Sequence, residues 1–350
     1  MEPPYLLTQY SHGAGCGCKI SPQVLDEILH SDLPAPVAKN LLVGNQSKDD
    51  AAAYDLGDGT ALISTTDFFM PIVDDAYDFG RIASANAISD VYAMGGKPLM
   101  AIAILGWPVE KLPAAVAKRV LEGARATCAA AGIPLAGGHS IDSPEPIFGL
   151  AVNGRVAIHN LKQNNTAKAG DLLLMTKSLG TGVLSTAQKR KALLPEHYTP
   201  FLEQLIRLNS AGAALGELPG VHAMTDITGF GLLGHMIEMA GGSGLTAVVN
   251  YAELPVLAGV MEGITSKMVP GGTIRNWKSY GDKVSIAANM NETDAINLLA
   301  DPQTNGGLLI AVDPKSLTEV QDLFISFGLG DYIAPVGKLE ASNEFTVYVQ

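Results

Sequence analysis

Reactive chemistry is concentrated in the segment His12-Gly13-Ala14-Gly15-Cys16-Gly17-Cys18-Lys19. Its glycines let the backbone take up conformations that other residues resist, which suits a mobile lid or a close approach to a ligand. The ammonium of Lys19, a few residues from two thiols, favours thiolate over thiol, and thiolate is the form that attacks electrophiles and binds soft atoms. The same lysine could instead hold a phosphate as a point charge. Cys-x-Cys is also half of many metal sites. The one further cysteine, Cys128, lies in an alanine-rich stretch and reads as core, so a structural zinc site is not expected. An unspecialised pair of loop cysteines remains the alternative on local chemistry alone.

A second set of reactive groups is carboxylate. Asp49-Asp50 opens an apolar run, Asp67 closes its partner run, and Asp226 follows another, whereas Asp90 lies inside an Ala/Ile-rich helical stretch. Carboxylates at strand ends suggest a shared cleft, because open sheets bind ligands beyond their strand termini. Facing phosphate they would repel it unless Mg²⁺ stood between. Each could instead be a turn former or a helix cap, Asp226 included; Asp90 resists that reading, since an inward Asp within a helix is costly without a partner.

Gly229-Phe230-Gly231-Leu232-Leu233-Gly234 matches a dinucleotide fingerprint, with Glu253 at a distance suited to a ribose contact. Asp226 just upstream would oppose a pyrophosphate, so these glycines are read as close helix packing. No P-loop pattern occurs. Gly137-Gly138-His139-Ser140 reads as a loop with backbone donors or a plain turn, and 269–273 and 301–307 read as turns.

These groups need a scaffold, and alternating strand and helix signals run through both halves of the 350 residues. A short helix is expected over Gln23 to His30 behind Ser21-Pro22, then strands Ala51 to Leu56 and Thr60 to Phe68 across Gly57-Asp58-Gly59. A helix from Phe79 to Met94, strands at Leu99 to Leu105, Ile133 to Leu135 and Ile147 to Val156, and a helix Ala114 to Ala131 complete a first domain near Ile158. His159 to Asn165 reads as a linker, with the boundary between 158 and 170. Beyond it, strands are expected at Leu172 to Met175, before Asp226, at Leu245 to Tyr251 and at Leu308 to Val312, with a helix over Phe230 to Ala240.

Composition bounds the function. A chain 47% hydrophobic and 17% charged buries a large core, and a net charge of −12 argues against nucleic-acid binding. No apolar run approaches the ~20 residues that span a bilayer, and Met1 to Tyr10 has neither a basic nor an apolar leader region. Three cysteines make no disulfide framework and fit a reducing compartment, so a cytoplasmic location without membrane contact is expected.

Tyr10 to Lys19 resembles the signature segment of the selenophosphate synthetase (selenide, water dikinase) family. Asp49-Asp50-Ala51-Ala52, Ser64 to Phe69, Asn86 to Asp90, Gly137 to Ser140, Thr225 to Gly231 and Asp301 to Thr304 follow in that family's order and approximate spacing. The resemblance implies an α/β (α+β) fold of two domains, shared with aminoimidazole ribonucleotide synthetase. In it a flexible glycine-rich catalytic segment (1–20) precedes an N-terminal ATP/Mg-binding domain (21–160) that dimerises through its β-sheet and an α+β domain (168–350). It implies a homodimeric, ATP-dependent transferase that turns ATP, selenide and water into selenophosphate, AMP and phosphate, the activated selenium for selenocysteine and selenouridine, and it leaves room for a transient selenium-delivery protein.

By position, the resemblance makes Cys16 the essential thiol, in a form where other members carry selenocysteine, and Lys19 its partner in catalysis and nucleotide binding. It makes Asp50, Asp90 and Asp226 Mg²⁺ ligands. Ser47, Lys48, Asp49, Asp67 and Asp90 would line the nucleotide site, and Gly138, His139 and Ser140 would reach the nucleotide of the other subunit. Asn305 departs from the serine expected there. Thiamine-monophosphate kinase, the hydrogenase-maturation dehydratase and purine-pathway ligases would share the fold and the use of ATP, without the cysteine segment. A noncatalytic thiol carrier would explain the cysteines and leave the carboxylates idle.

Overall fold

A computed structural model describes residues 5–20, 22–30, 38–44 and 49–350, apart from the side chains of Cys16, Cys18, Pro22, Gln23 and Asp26. The first half runs α1 (Pro22–Leu29), β1 (Leu41–Val43), β2 (Ala52–Asp55), β3 (Thr60–Phe69), α2 (Ala76–Ala93), β4 (Lys97–Trp107), α3 (Ala114–Ala130), β5 (Leu135–Asp142) and β6 (Ile147–Ala157). Its strands form one sheet, β1-β2-β3-β6-β4-β5, antiparallel except where β4 meets β5. Period-two alternation sorts the faces: Ala61, Ile63, Ala101 and Ala103 are buried, while Phe68, Met100 and Ile102 point to the open side.

α2 and α3 lie against each other at backbone contact. A Cβ on Gly80 would stand 1.9 Å from the Val120 carbonyl oxygen, and one on Gly123 equally close to that of Tyr77, so only glycine fits either position. Asp75 caps α2 by accepting from the Asp78 N–H. α2 is buried nearly all round because β3 and β6 cover one side and elements of the second half cover the other. That placement puts Asn86, Ser89 and Asp90 at the junction of the two halves.

The second half runs β7 (Leu172–Met175), α4 (Thr181–Lys189), α5 (Pro195–Ile206), α6 (Ala211–Gly216), β8 (Val221–Asp226), α7 (Gly231–Gly242), β9 (Leu245–Val249), α8 (Val260–Thr265), α9 (Gly271–Tyr280), β10 (Val284–Ile286), α10 (Glu292–Leu299), β11 (Leu308–Val312), α11 (Leu317–Ser326), β12 (Gly337–Ala341) and β13 (Val347–Val349). Its sheet is ordered β10-β13-β9-β12-β7-β11-β8. β11 is buried at every position, so its apolar run shows no alternation. The result is a mixed α/β fold with two sheets, and one hydrophobic cluster runs through both halves.

Two local expectations need correction, and a third is sharpened. Gly137-Gly138-His139-Ser140 is neither loop nor turn but part of β5, an edge strand parallel to β4. Its residues from Ala136 onward are exposed, so no apolar alternation marked it. The stretch 159–165 does link the two halves, and it is anchored as it does so: Asn164 is buried, and the buried Lys162 donates to the carbonyls of Leu218 and Val221. The stretch 301–307 is a buried hub rather than an ordinary turn, with Asp301, Gln303 and Asn305 all below 2% exposure. Ser21, read as the α1 cap, lies outside the described residues.

Candidate functional site

A cleft of about 640 Å³ opens where β3 and α2 of the first half face the C-terminal end of β8. Asp49, Asp50, Asp67, Asp90 and Asp226 all line it, with Glu238 and Lys19. Alternation along β3 turns Thr65 and Asp67 inward, where the Thr65 hydroxyl donates to Asp90 Oδ2 and the Asn86 amide donates to Asp67 Oδ2. The Thr225 hydroxyl donates to Asp50 Oδ1 at 2.8 Å. Asp49 accepts from the N–H of Asp50 at 3.1 Å and of Asn164 at 3.4 Å.

Burial, reinforced by neighbouring carboxylates, shifts Asp49, Asp50, Asp90 and Asp226 one way. Burial, then the charge of Asp226, raises Asp50 well above the carboxylate range; burial, then Asp226 and Asp67, does the same to Asp90. Burial raises Asp226 too, against a hydrogen bond from Ser89 and the fields of His235 and Lys19. Asp49 is pushed up to about 7, chiefly by burial. Asp226 does not cap α7, whose N-cap is Phe230 with no side-chain bond.

Two oxygens decide whether a cation fits. Asp50 Oδ2 and Asp226 Oδ2 are buried without a hydrogen-bond partner, an arrangement costly for a carboxylate unless a positive ion completes it. Among the described residues no three His, Cys, Asp or Glu side chains close into a cage of their own. Mg²⁺ needs no such cage, since it binds through one or two carboxylates and takes its remaining ligands from phosphate and water. The donor set therefore fits Mg²⁺ shared with a phosphate better than a protein-only metal centre.

The glycine-rich segment reaches this cleft through Lys19. Gly15 sits at φ +52°, its N–H donates to the Met70 carbonyl at 3.1 Å, and a Cβ there would stand 2.4 Å from Thr304 Oγ1. Cys16 and Cys18 follow within a 3₁₀ turn, Gly15–Cys18, and Lys19 Nζ then lies 3.6 Å from Asp67 Oδ2. Two cations of the second half hold the same segment by its backbone. Lys189 Nζ donates to the carbonyls of Ser11 at 2.8 Å and Gly13 at 3.0 Å, and Arg275 Nη2 donates to that of Gly17 at 2.8 Å.

The structure thus brings together Lys19, Asp49, Asp50, Asp67, Asp90 and Asp226. Ser47 and Lys48 lie outside the described residues. Gly138, His139 and Ser140 are exposed on β5 and do not line the cleft of their own chain. The fingerprint glycines start α7 by packing: a Cβ on Gly231 would meet the backbone of Leu299 and Ala300 below 3 Å.

Several participants escaped sequence reading. His235 Nε2 accepts from the Thr228 N–H at 3.0 Å, which leaves its proton on Nδ1, 3.3 Å from Glu238 Oε2. The i,i+3 spacing of that pair on α7 was the available signal. Lys189 and Arg275 offered none, because their partners are backbone carbonyls remote in sequence.

Residues 48–156 match the family model described as AIR synthase related protein, N-terminal domain, and residues 168–350 match its C-terminal domain. A selenide, water dikinase of Photorhabdus laumondii is 55% identical over 350 residues, 100% of this chain and 99% of that protein. One from Aeromonas hydrophila is 56% identical over 346 residues, 98% of this chain and 99% of that protein. Among solved structures, thiamine-monophosphate kinase of Stenotrophomonas maltophilia superposes with a TM-score of 0.64 at 20% identity, over 90% of this chain and 92% of that one. A chain of a HypE-HypF complex gives 0.68 at 17%, over 93% and 95%. At such identities the likeness is one of fold.

Proposed function

This chain belongs to the selenide, water dikinase family, and from that membership we propose how its acidic cleft makes selenophosphate from selenide and ATP. The activity is that of an ATP-dependent kinase. Its balanced form is ATP, selenide and water to selenophosphate, AMP and phosphate. ATP lies in the carboxylate cleft, with Asp49, Asp67, Asp90, Lys19, Ser47 and Lys48 around the nucleotide and Asp50, Asp90 and Asp226 toward Mg²⁺. When bound, Mg²⁺ supplies the positive charge that lets a polyphosphate rest among carboxylates and that polarises the phosphoryl oxygens.

The chain's own residues do the rest. Thr65, Thr225 and Asn86 fix the orientation of Asp90, Asp50 and Asp67 by hydrogen bonds, so the nucleotide meets a preset surface. Lys19 neutralises phosphate charge, and Cys16 handles selenium. The observation that carries this reading is the 3.6 Å approach of Lys19 Nζ to Asp67 Oδ2, which joins the cysteine segment to the carboxylate cleft.

Homodimerisation through the first sheet is part of the proposal. It is supported by the open face on which Phe68 (50% exposed), Ile102 (41%) and Ile141 (61%) stand together, a patch of the kind that marks protein interfaces. His139 shares that face, from which Gly138 to Ser140 would reach the partner's nucleotide. The division into segment 1–20 and domains 21–160 and 168–350, a cytoplasmic location and a transient selenium-delivery partner complete it. Among the described residues no helix is long and apolar enough to cross a membrane.

Phosphorus NMR of ATP and Mg²⁺ under anaerobic reduction tests the reading. AMP and selenophosphate are expected only when selenide is added; ADP as the final product, or turnover indifferent to selenide, would refute it.

A further inference from the structure

A second cleft, about 940 Å³, lies behind the glycine-rich segment, between it and the helices α4 and α9. Lys19, Lys189, Arg190 and Arg275 line it, and none of its described lining residues is Asp or Glu. In a chain of net charge −12 this is a local reversal of sign. We propose that this cationic cleft receives the selenium nucleophile, hydrogenselenide, and delivers it to Cys16 from the face opposite the nucleotide. The inference rests on the selenophosphate reading above and adds to it the side from which selenide arrives.

Three observations carry it. The glycine-rich segment lines the cationic cleft at Gly13, Ala14 and Gly17 and meets the acidic cleft at Lys19, which lines both. The acidic cleft offers a small monoanion five aspartates and Glu238, and it is the space the nucleotide fills, so a second anion using that side meets both repulsion and obstruction. The segment is held in place from the cationic side, by Lys189 on the Ser11 and Gly13 carbonyls and Arg275 on that of Gly17, so the cations lie against the backbone that carries the thiols. Two anionic substrates thus approach one thiol segment from faces of opposite charge.

Arg190 is the residue to reverse. It is exposed, lines the cationic cleft, and its guanidinium donates to the Lys267 carbonyl and the Met268 sulfur, away from the thiol segment. Alkylation of Cys16, followed by peptide mass spectrometry on the full-length protein, is compared for iodoacetate, an anion, and iodoacetamide, its neutral analogue. Arg190→Glu is expected to lower the iodoacetate-to-iodoacetamide rate ratio about fivefold, and added salt to lower the wild-type ratio toward that of the variant. An unchanged ratio overturns the proposal, and this readout does not depend on turnover. In the assay, Arg190→Glu is expected to raise KM for selenide about fivefold with KM for ATP unchanged. An equal rise for ATP would overturn the proposal, whereas a wild-type enzyme that forms no AMP from selenide would refute the activity instead.

Discussion

Asn86 ties the cleft to the second half of the chain: its Oδ1 accepts from the backbone N–H of Asn305 at 2.7 Å while its amide holds Asp67. Asn305 is itself constrained, at φ +46°, with its amide donating to the carbonyls of Leu205 at 2.7 Å and Arg207 at 2.9 Å. Asn tolerates the left-handed region better than most residues, which explains its presence where serine was expected. Asn86→Ala strands the buried Asn305 N–H and is expected to cost about 1–3 kcal/mol. Urea unfolding measures this; a loss below about 0.5 kcal/mol would mean that the bond contributes little net stability.

Asp226→Asn addresses the cation. The wild type should gain thermal stability as Mg²⁺ is added, because Asp50 Oδ2 and Asp226 Oδ2 acquire the partner they lack. The variant should lose most of that gain while being no less stable in EDTA, since it removes a buried charge from among others. Melting curves across a Mg²⁺ titration report both quantities. Equal Mg²⁺ stabilisation of the two proteins would remove Asp226 from the ligand set.

Asp301 gives a pH dependence outside the cleft. Burial pushes it up to about 8, against hydrogen bonds from the N–H groups of Val183 and Gly182 at the start of α4 and from the Gln303 amide. A folded value above the unfolded one, about 3.9, gives stability that is fully present below pH ~4 and lost as pH rises through about 8. The melting temperature of the wild type minus that of Asp301→Asn should therefore fall between pH 5 and 8. Taking the difference cancels the other buried carboxylates, and a flat difference would show that Asp301 stays ionised in the fold.

What could be read beforehand follows from where each residue's partners lie. β11 and α2 were legible because a continuous apolar run and an Ala/Ile-rich helical stretch declare themselves locally. Asp90 stood out for the same reason, as a charge with no local justification, although its partner Thr65 is 25 residues away. β5 was not legible, because an exposed edge strand carries no buried face to pattern it. Nor was the role of 301–307, since Asp301 bonds to Gly182 and Asn305 to Asn86, contacts over 119 and 219 residues that only the fold creates. The cationic cleft was hidden twice over, as Lys189 and Arg275 act on backbone carbonyls and leave no trace in side-chain spacing.

The seat of the thiol segment yields the last prediction. Gly15→Ala introduces a methyl group 2.4 Å from Thr304 Oγ1 and 2.8 Å from the Ile72 side chain, at a φ of +52° that alanine resists by about 1–2 kcal/mol. Clash and backbone strain together are expected to lift the segment away from Thr304, which carries Cys16 and Lys19 out of register with Asp67. Selenophosphate formation should fall roughly 100-fold, the order expected when a reacting group is displaced by about 1 Å. Nucleotide binding should change far less, because the carboxylates keep their own supports in Thr65, Thr225 and Asn86. Cys16→Ser provides the reference: selenide-dependent product should be abolished with the melting temperature unchanged. If Gly15→Ala turns over normally, the observed seating against Thr304 is not the catalytic position of the segment; if Cys16→Ser turns over normally, the thiol has no part in the chemistry.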